Sequence, residues 1–158
     1  MAARSNQGVD RFGAARQWLL RLFDSARQYR ECKALTGTQA AGRRGEDIAH
    51  RYLRKQGLHI LARRYRLADG SGEIDIIARD GNVLVFIEVK ARRDSDYGGP
   101  ERAIGPEKQR KIIRTARNYV LKSNADWSLV RFDIVTVVLA DSPVVNHYPD
   151  AFYPVRTR

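Results

Sequence analysis

The alternation of apolar and polar residues divides the chain into a short series of strands and helices. Two β-rich runs between Gly72 and Lys90 flank the Asp-Gly-Asn sequence at 80–82, which is a strong hairpin signal. A further run at 58–67 precedes this hairpin, and a strongly β-branched run follows at 129–140. Both faces of the hairpin are apolar, so its strands are predicted to lie in the centre of a sheet. A last short run, 144–147, is predicted to be an edge strand.

Within the region that contains the strands, two segments have apolar residues at helical spacing. The first is predicted to begin with Thr38 as its N-cap and to run to about Gln56, with Gly57 as its C-terminal stop. Gly42 and Gly45 lie inside it and weaken the helix, but they permit close approach of another backbone. The second helix is predicted from Pro106 to about Lys122. The order α-β-β-β-α-β predicts an α/β fold with a mixed central sheet.

The hairpin register determines which charged side chains meet. If paired residue numbers sum to 163, Asp75 faces Glu88 and Glu73 faces Lys90, and all four side chains share one face. A slip of one residue would place the carboxylates of the two strands on opposite faces. Burying such charges is costly unless each has a partner.

Two interpretations of this cluster stay open. It is either a structural salt-bridge cluster or a site in which a divalent cation offsets the roughly two surplus negative charges. In the second case, the lysine would orient a metal-activated water or stabilise charge on a phosphoryl group. Glu46 is also unusual, because it shares the inward stripe of the first helix with Ala49 and Leu53. A capping or salt-bridge role near Arg43 or Arg44 is the structural alternative for it.

The blocks that carry this chemistry resemble a known family. Asp75 followed by Glu88-Val89-Lys90 resembles the signature of the PD-(D/E)xK nucleases. From about Thr38 to Phe152 the chain is similar to the bacterial YraN-like family. The blocks that match are Gly45-Glu46, Gly72-Glu73-Ile74-Asp75, Phe86-Ile87-Glu88-Val89-Lys90 and Arg131-Phe132-Asp133.

This resemblance implies a restriction-endonuclease-like core in which helices flank the mixed sheet. It further implies that Asp75 and Glu88 bind Mg²⁺ or Mn²⁺, that Lys90 is catalytic, and that Glu73 is an additional acid. Glu46 and Gln109, the latter on the buried stripe of the second helix, are implied as supporting catalytic residues. Many YraN-like sequences have asparagine where Arg64 falls, which argues against a special role for Arg64. Arg131 and Asp133 share a strand face and are predicted to pair with each other.

The net charge of +11 and the pI near 10.3 favour an acidic partner, either nucleic acid or an anionic membrane surface. The region of resemblance carries +5 of this charge, and the rest lies in the two terminal segments. Basic residues after the third strand and on the second helix are candidate phosphate contacts, with a solvated face as the alternative. They are Arg92, Arg93, Lys108, Arg110, Lys111, Arg114 and Arg117.

The chain is predicted to consist of a basic extension (1–37), a nuclease-like domain (38–152) and a basic tail (153–158). An amphipathic helix predicted at 10–35 would pack on the domain, bind a partner or lie on a membrane. The single cysteine, Cys32, excludes an intramolecular disulfide and favours a reducing compartment. No apolar run is long enough to span a membrane. We therefore expect a cytoplasmic protein with no integral membrane association.

The leading functional hypothesis is a Mg²⁺- or Mn²⁺-dependent DNA endonuclease, with DNA favoured over RNA and branched or structured DNA as an attractive substrate. Two alternatives belong to other classes. One is a non-catalytic nucleic-acid-binding module, and the other is a partner-binding adaptor acting through residues 10–35. The oligomeric state is not predicted.

Overall fold

The computed structural model describes residues 37–92 and 104–154. The predicted helix at 10–35, the candidate contact Arg93 and the end of the basic tail lie outside the described residues.

The described chain begins with helix α1 (Gly37–Lys55), followed by strands β1 (His59–Arg66), β2 (Glu73–Asp80) and β3 (Val83–Arg92). Helix α2 (Pro106–Ser123), a 3₁₀ turn (Trp127–Leu129), β4 (Val130–Val138) and β5 (Val144–Tyr148) complete it. The strands form one sheet in the order β1-β2-β3-β4-β5. Strand β3 is parallel to β4, and all other neighbours are antiparallel. The predicted α/β fold with a mixed sheet is confirmed, as is the edge strand β5.

Each face of the sheet is covered by one helix. Along β3, Phe86 packs in a cluster with Ile112 of α2, whereas Val85 and Ile87 pack with Leu53 of α1. Strand β3 is central and is buried on both faces, as its apolar pattern predicts. Because side chains alternate along a strand, Glu88 lies on the same face as Phe86. The candidate acid of β3, Glu88, is therefore on the face that α2 covers.

The ends of α1 follow from local sequence. Gly57 adopts a left-handed conformation with φ of 91°. The amide of Gly57 donates to the Arg54 carbonyl, and that of Leu58 donates to the Leu53 carbonyl, which is a Schellman motif. The predicted stop is confirmed. At the other end the helix begins at Gly37, so Thr38 lies in its first turn and is not the N-cap.

An ion-pair network anchors the edge strand. Asp133 is fully buried and accepts from Arg131 Nε and Nη2, at 2.9 and 3.1 Å. It also bonds His147 Nε2 of β5 at 2.8 Å and accepts from the Asp150 amide at 3.1 Å. Arg131 reaches Asp80 beside the hairpin turn, at 2.9 Å. The predicted structural pairing of Arg131 with Asp133 is confirmed. The network joins β4 to the hairpin turn, to β5 and to the segment after β5.

Two glycines allow the helices to approach the sheet. A Cβ at Gly45 of α1 would overlap the Cβ of Ala91 in β3. A Cβ at Gly72, in the connection before β2, would overlap Oγ1 of the buried Thr115 of α2. Gly42 differs from Gly45, because a Cβ there would meet nothing within 4 Å. The predicted close approach thus applies to Gly45 and not to Gly42.

This difference predicts opposite effects for the same substitution in one helix. Gly45→Ala should lower the free energy of unfolding by about 1–3 kcal/mol, since both contacting atoms are rigid. Gly42→Ala should raise it by about 0.5–1 kcal/mol, since alanine favours the helix and the space is open. Urea denaturation of the two variants beside the wild type measures both values. Equal effects at the two positions would contradict this packing.

Candidate functional site

The hairpin register brings two acidic residues to the end of the β2–β3 ladder. The main-chain pairs run from Asp80↔Val83 to Ile76↔Ile87, and each pair sums to 163, as predicted. The same register, continued one step beyond the paired residues, would place Asp75 opposite Glu88. There the Val89 amide donates to Asp75 Oδ2 at 2.7 Å. The side chain of Asp75 therefore bonds the strand that carries Glu88.

Glu88 is the buried centre of the site, with 3% of its side chain exposed. Its Oε1 accepts from the ammonium groups of Lys90 and Lys108, at 3.0 and 3.1 Å. Its Oε2 is buried and has no hydrogen-bond partner among the described residues. An unpartnered carboxylate oxygen in the interior is costly, and such an atom often marks the position of an ion or a ligand.

Lys108 belongs to this site, although the sequence analysis assigned it to a phosphate-binding surface. Its amine reaches Glu88 from the first turns of α2. The helical period could have indicated this inward position, because Lys108 lies one turn before the buried Ile112 on the same face of α2. Gln109 is one turn before the less buried Ile113, and its side-chain amide donates to the Ile104 carbonyl at 3.1 Å. Lys108, rather than Gln109, joins α2 to Glu88.

The surroundings of Asp75 disfavour its ionised form. Burial and the nearby Glu88 charge raise its pKa from 3.8 to about 8, and Glu46 adds to the effect. The Val89 amide and Lys108 oppose the rise without cancelling it. A positive charge placed beside Asp75 would oppose this rise.

Glu46 lies close enough to Asp75 to affect its pKa, as the resemblance implies. Its partner is Arg64, whose Nε donates to Glu46 Oε2 at 2.6 Å. Burial raises the pKa of Glu46 above its ordinary value, although Arg64 opposes this rise. Arg64 therefore has a role, contrary to the sequence expectation. The backbone of Arg64 adopts a left-handed conformation, with φ of 52°. Asparagine adopts this conformation readily, which explains why asparagine suits this position in related sequences.

Glu73 lies at the rim of the site. It pairs with Arg66 of β1 at 3.1 Å, and 34% of its side chain is exposed. The predicted pairing of Glu73 with Lys90 is replaced by the Glu73–Arg66 pair. The reason is that the β2–β3 ladder ends at Ile76, while the β1–β2 ladder continues to Glu73.

The other basic candidates on α2 are exposed, and three of them also contact the fold. Lys111 pairs with Glu107 at 2.8 Å, and Arg114 donates to the Ser71 carbonyl at 2.8 Å. The Arg117 guanidinium lies 5.5 Å from the centre of the Trp127 ring. Arg110 is exposed beside them, and Arg92 is half-buried at the end of β3. The helix thus presents a basic surface next to the site.

The two carboxylates, Asp75 and Glu88, match the number and type of protein ligands that a Mg²⁺ or Mn²⁺ ion commonly uses. Magnesium sites commonly use one or two carboxylates, with water and substrate phosphate as the other ligands. Asp75 and the unpartnered Oε2 of Glu88 supply that set. No group of three or more His, Cys, Asp or Glu residues suited to a metal ion occurs within 37–92 and 104–154. Any cation here would therefore depend on these two carboxylates.

The charge balance differs from the sequence prediction of surplus negative charge. Lys90 and Lys108 offset the charge of Glu88, while Arg64 and Arg66 offset Glu46 and Glu73. Lys108 is the positive charge that the sequence prediction did not count, because its contact with Glu88 depends on how α2 packs against the sheet. The acids alone therefore do not require a cation, and the case for one depends on Glu88 Oε2.

The region that contains this arrangement also matches a family model. Residues 45–137 match the model of the uncharacterised protein family UPF0102, and this span includes all the acids and lysines of the site. This chain belongs to the UPF0102 family. The match confirms the YraN-like resemblance.

Similar UPF0102 proteins come from diverse bacteria. One from Solibacter usitatus is 50% identical over 111 residues, which cover 70% of this chain and 84% of the relative. One from Anaeromyxobacter dehalogenans is 42% identical, over 73% of this chain and 86% of the relative. A third, from Syntrophotalea carbinolica, is 46% identical over 70% and 89%. In the described part of this UPF0102 chain, neither helix has the length and apolarity needed to cross a membrane.

The raised pKa of Asp75 predicts how the stability of this UPF0102 protein depends on pH. Folding favours the protonated carboxyl, so this group stabilises the fold fully below pH 3.8 and loses that effect as pH rises to about 8. Asp75→Asn keeps an acceptor for the Val89 amide but cannot ionise. Its free energy of unfolding should exceed that of the wild type by about 1 kcal/mol or more at about pH 9, and the difference should shrink toward pH 4.

Urea denaturation across this pH range, without divalent cations, measures the difference. Asp141→Asn is the matched control, because Asp141 is exposed and should show no such trend. A difference between Asp75→Asn and the wild type that does not change with pH would contradict the raised pKa of Asp75.

Proposed function

We propose that this UPF0102 protein is a Mg²⁺- or Mn²⁺-dependent endonuclease that hydrolyses phosphodiester bonds in nucleic acid. The observation that carries the proposal is the buried Glu88, whose Oε2 has no hydrogen-bond partner among the described residues although Asp75 lies close by. A purely structural ion-pair cluster would satisfy both oxygens, as the Asp133 network does.

Asp75 and Glu88 would hold the cation, which supplies Lewis-acid stabilisation of the phosphate and a more acidic bound water. Lys90 lies at the mouth of the site with 35% of its side chain exposed. From there its ammonium orients the attacking water or stabilises negative charge on the phosphoryl group. Glu46 is held by Arg64 and has a raised pKa, which suits it to exchange a proton near the reacting water.

The nucleic acid would lie along α2. This helix carries Lys108 in the site and continues outward through exposed basic residues, so its surface follows a phosphate backbone away from the reacting bond. The chain's overall positive charge favours the same partner. DNA rather than RNA, and a branched or structured form of DNA, are inferred from the resemblance.

Cleavage assays test the reaction. Linear, flapped, bubbled and four-way-junction DNAs, with matching RNAs, would be incubated with the protein in Mg²⁺, Mn²⁺ or EDTA. We expect cleavage of at least one substrate that is abolished by EDTA and reduced at least about a hundredfold in Glu88→Gln and Lys90→Ala. Nucleic-acid affinity in EDTA should change little, because these side chains act on the reacting bond.

Glu107→Gln is the control for Glu88→Gln, since Glu107 is an exposed glutamate on α2 and its loss should leave cleavage intact. Binding without cleavage of any substrate in any metal would refute the proposed endonuclease and favour a non-catalytic nucleic-acid-binding module.

The salt dependence of binding tests the proposed role of α2. Arg110→Gln and Arg114→Gln should weaken binding across sequences and lower the slope of log affinity against log salt by about one unit per lost phosphate contact. Arg79→Gln removes the same charge from an exposed position on β2 and should keep the wild-type slope. Unchanged slopes in both α2 variants would place the nucleic acid elsewhere.

A further inference from the structure

The two lysines that contact Glu88 are not equivalent. Both ammonium groups bond the same oxygen, Oε1, although Oε2 has no partner in the described parts of the chain. Lys90 lies two residues after Glu88 on the same central strand, so its backbone is fixed relative to that of Glu88. Lys108 reaches Glu88 from a separate element, α2.

Lys108 can leave Glu88 without disturbing the fold. Its side chain is 39% exposed, so water is available to solvate its ammonium when the bond opens. A long, flexible lysine stem can move the charge by several ångströms at little cost. The core residues of α2, such as Ile112 and Ala116, lie further along the helix and hold it in place independently.

We propose that Lys108 is an exchangeable internal counter-ion, which occupies Glu88 when no divalent cation is bound and gives way when one binds. The released ammonium then lies on the basic face of α2, where it contacts a phosphate of the substrate. This inference rests on the proposed function, because it assumes that Asp75 and Glu88 bind the cation.

The physical reason is electrostatic competition. A divalent cation at Glu88 would be placed next to two ammonium groups in a poorly solvated site, where like charges repel strongly. Departure of one ammonium relieves this repulsion. Lys108 is the one we expect to depart, because it reaches Glu88 from a separate element, whereas Lys90 shares its strand with Glu88. Cation binding and phosphate binding would then favour each other, and this coupling is reciprocal.

A Mn²⁺ titration without nucleic acid tests the exchange apart from catalysis. Isothermal calorimetry would compare the wild type with Lys108→Met, Lys108→Arg and Lys111→Met at one pH and salt concentration. We expect Lys108→Met to bind Mn²⁺ about tenfold more tightly, because the competing charge is gone. Lys108→Arg, which keeps the charge, should bind much as the wild type does. Lys111→Met removes a lysine of the same helix that pairs with Glu107, and it should leave the affinity unchanged.

Circular dichroism would verify that each variant is folded, and Lys108→Gln replaces Lys108→Met if the latter is not. Equal or weaker Mn²⁺ binding by the uncharged variant would overturn the inference, because Lys108 would then be a fixed part of the site. Asp75→Asn separates the two proposals. If Mn²⁺ binding is absent, or does not depend on Asp75, the metal site and the proposed function fail together. If it depends on Asp75 but not on the charge at residue 108, only the counter-ion fails.

Discussion

The site depends on the burial of one carboxylate, that of Glu88, in the central strand of the sheet. A charge in this position is tolerated only with close partners, because desolvation costs more than a distant charge returns. Two ammonium groups meet one oxygen of Glu88, and the other oxygen is left without a hydrogen bond among the described residues. Burial of Asp75, and then the nearby charge of Glu88, raise the pKa of Asp75. Glu88 therefore contributes to the raised pKa values of both Asp75 and Lys108.

The approach of the two helices determines which side chains reach this carboxylate. Gly45 lets α1 contact β3 at Ala91, and the next residue, Glu46, is thereby placed near Asp75. Gly72 lets α2 contact the start of β2 through Thr115, and Lys108 lies two turns earlier on that helix. In both cases the absence of a Cβ brings backbones close together. Gly45 weakens α1 locally, yet Gly45 and Gly72 allow the close packing that places the side chains of the site together.

The two acidic clusters of the protein differ in how well their bonds are satisfied. Asp133 is fully buried, and both of its oxygens bond groups that tie β5 and the hairpin turn to β4. Glu88 is equally inaccessible but has one unpartnered oxygen, and Asp75 and Glu46 beside it have raised pKa values. Complete satisfaction is what a structural network requires. Incomplete satisfaction, with several perturbed acids together, is typical of sites that bind or react.

Much of the fold could be predicted from the sequence, because the relevant signals are local. The Asp-Gly-Asn turn set the pairing of β2 with β3, and this register brings Asp75 to the strand that carries Glu88. Gly57 ended α1, and apolar residues on both faces identified β3 as central. The partners of the acids were decided by tertiary structure alone: Lys108 rather than Gln109 for Glu88, Arg64 for Glu46, and Arg66 for Glu73. Periodicity gives the face of a helix on which a side chain lies, but not the rotation and height at which that helix docks. A contact between side chains depends on both, since a shift of a few ångströms exchanges one partner for another.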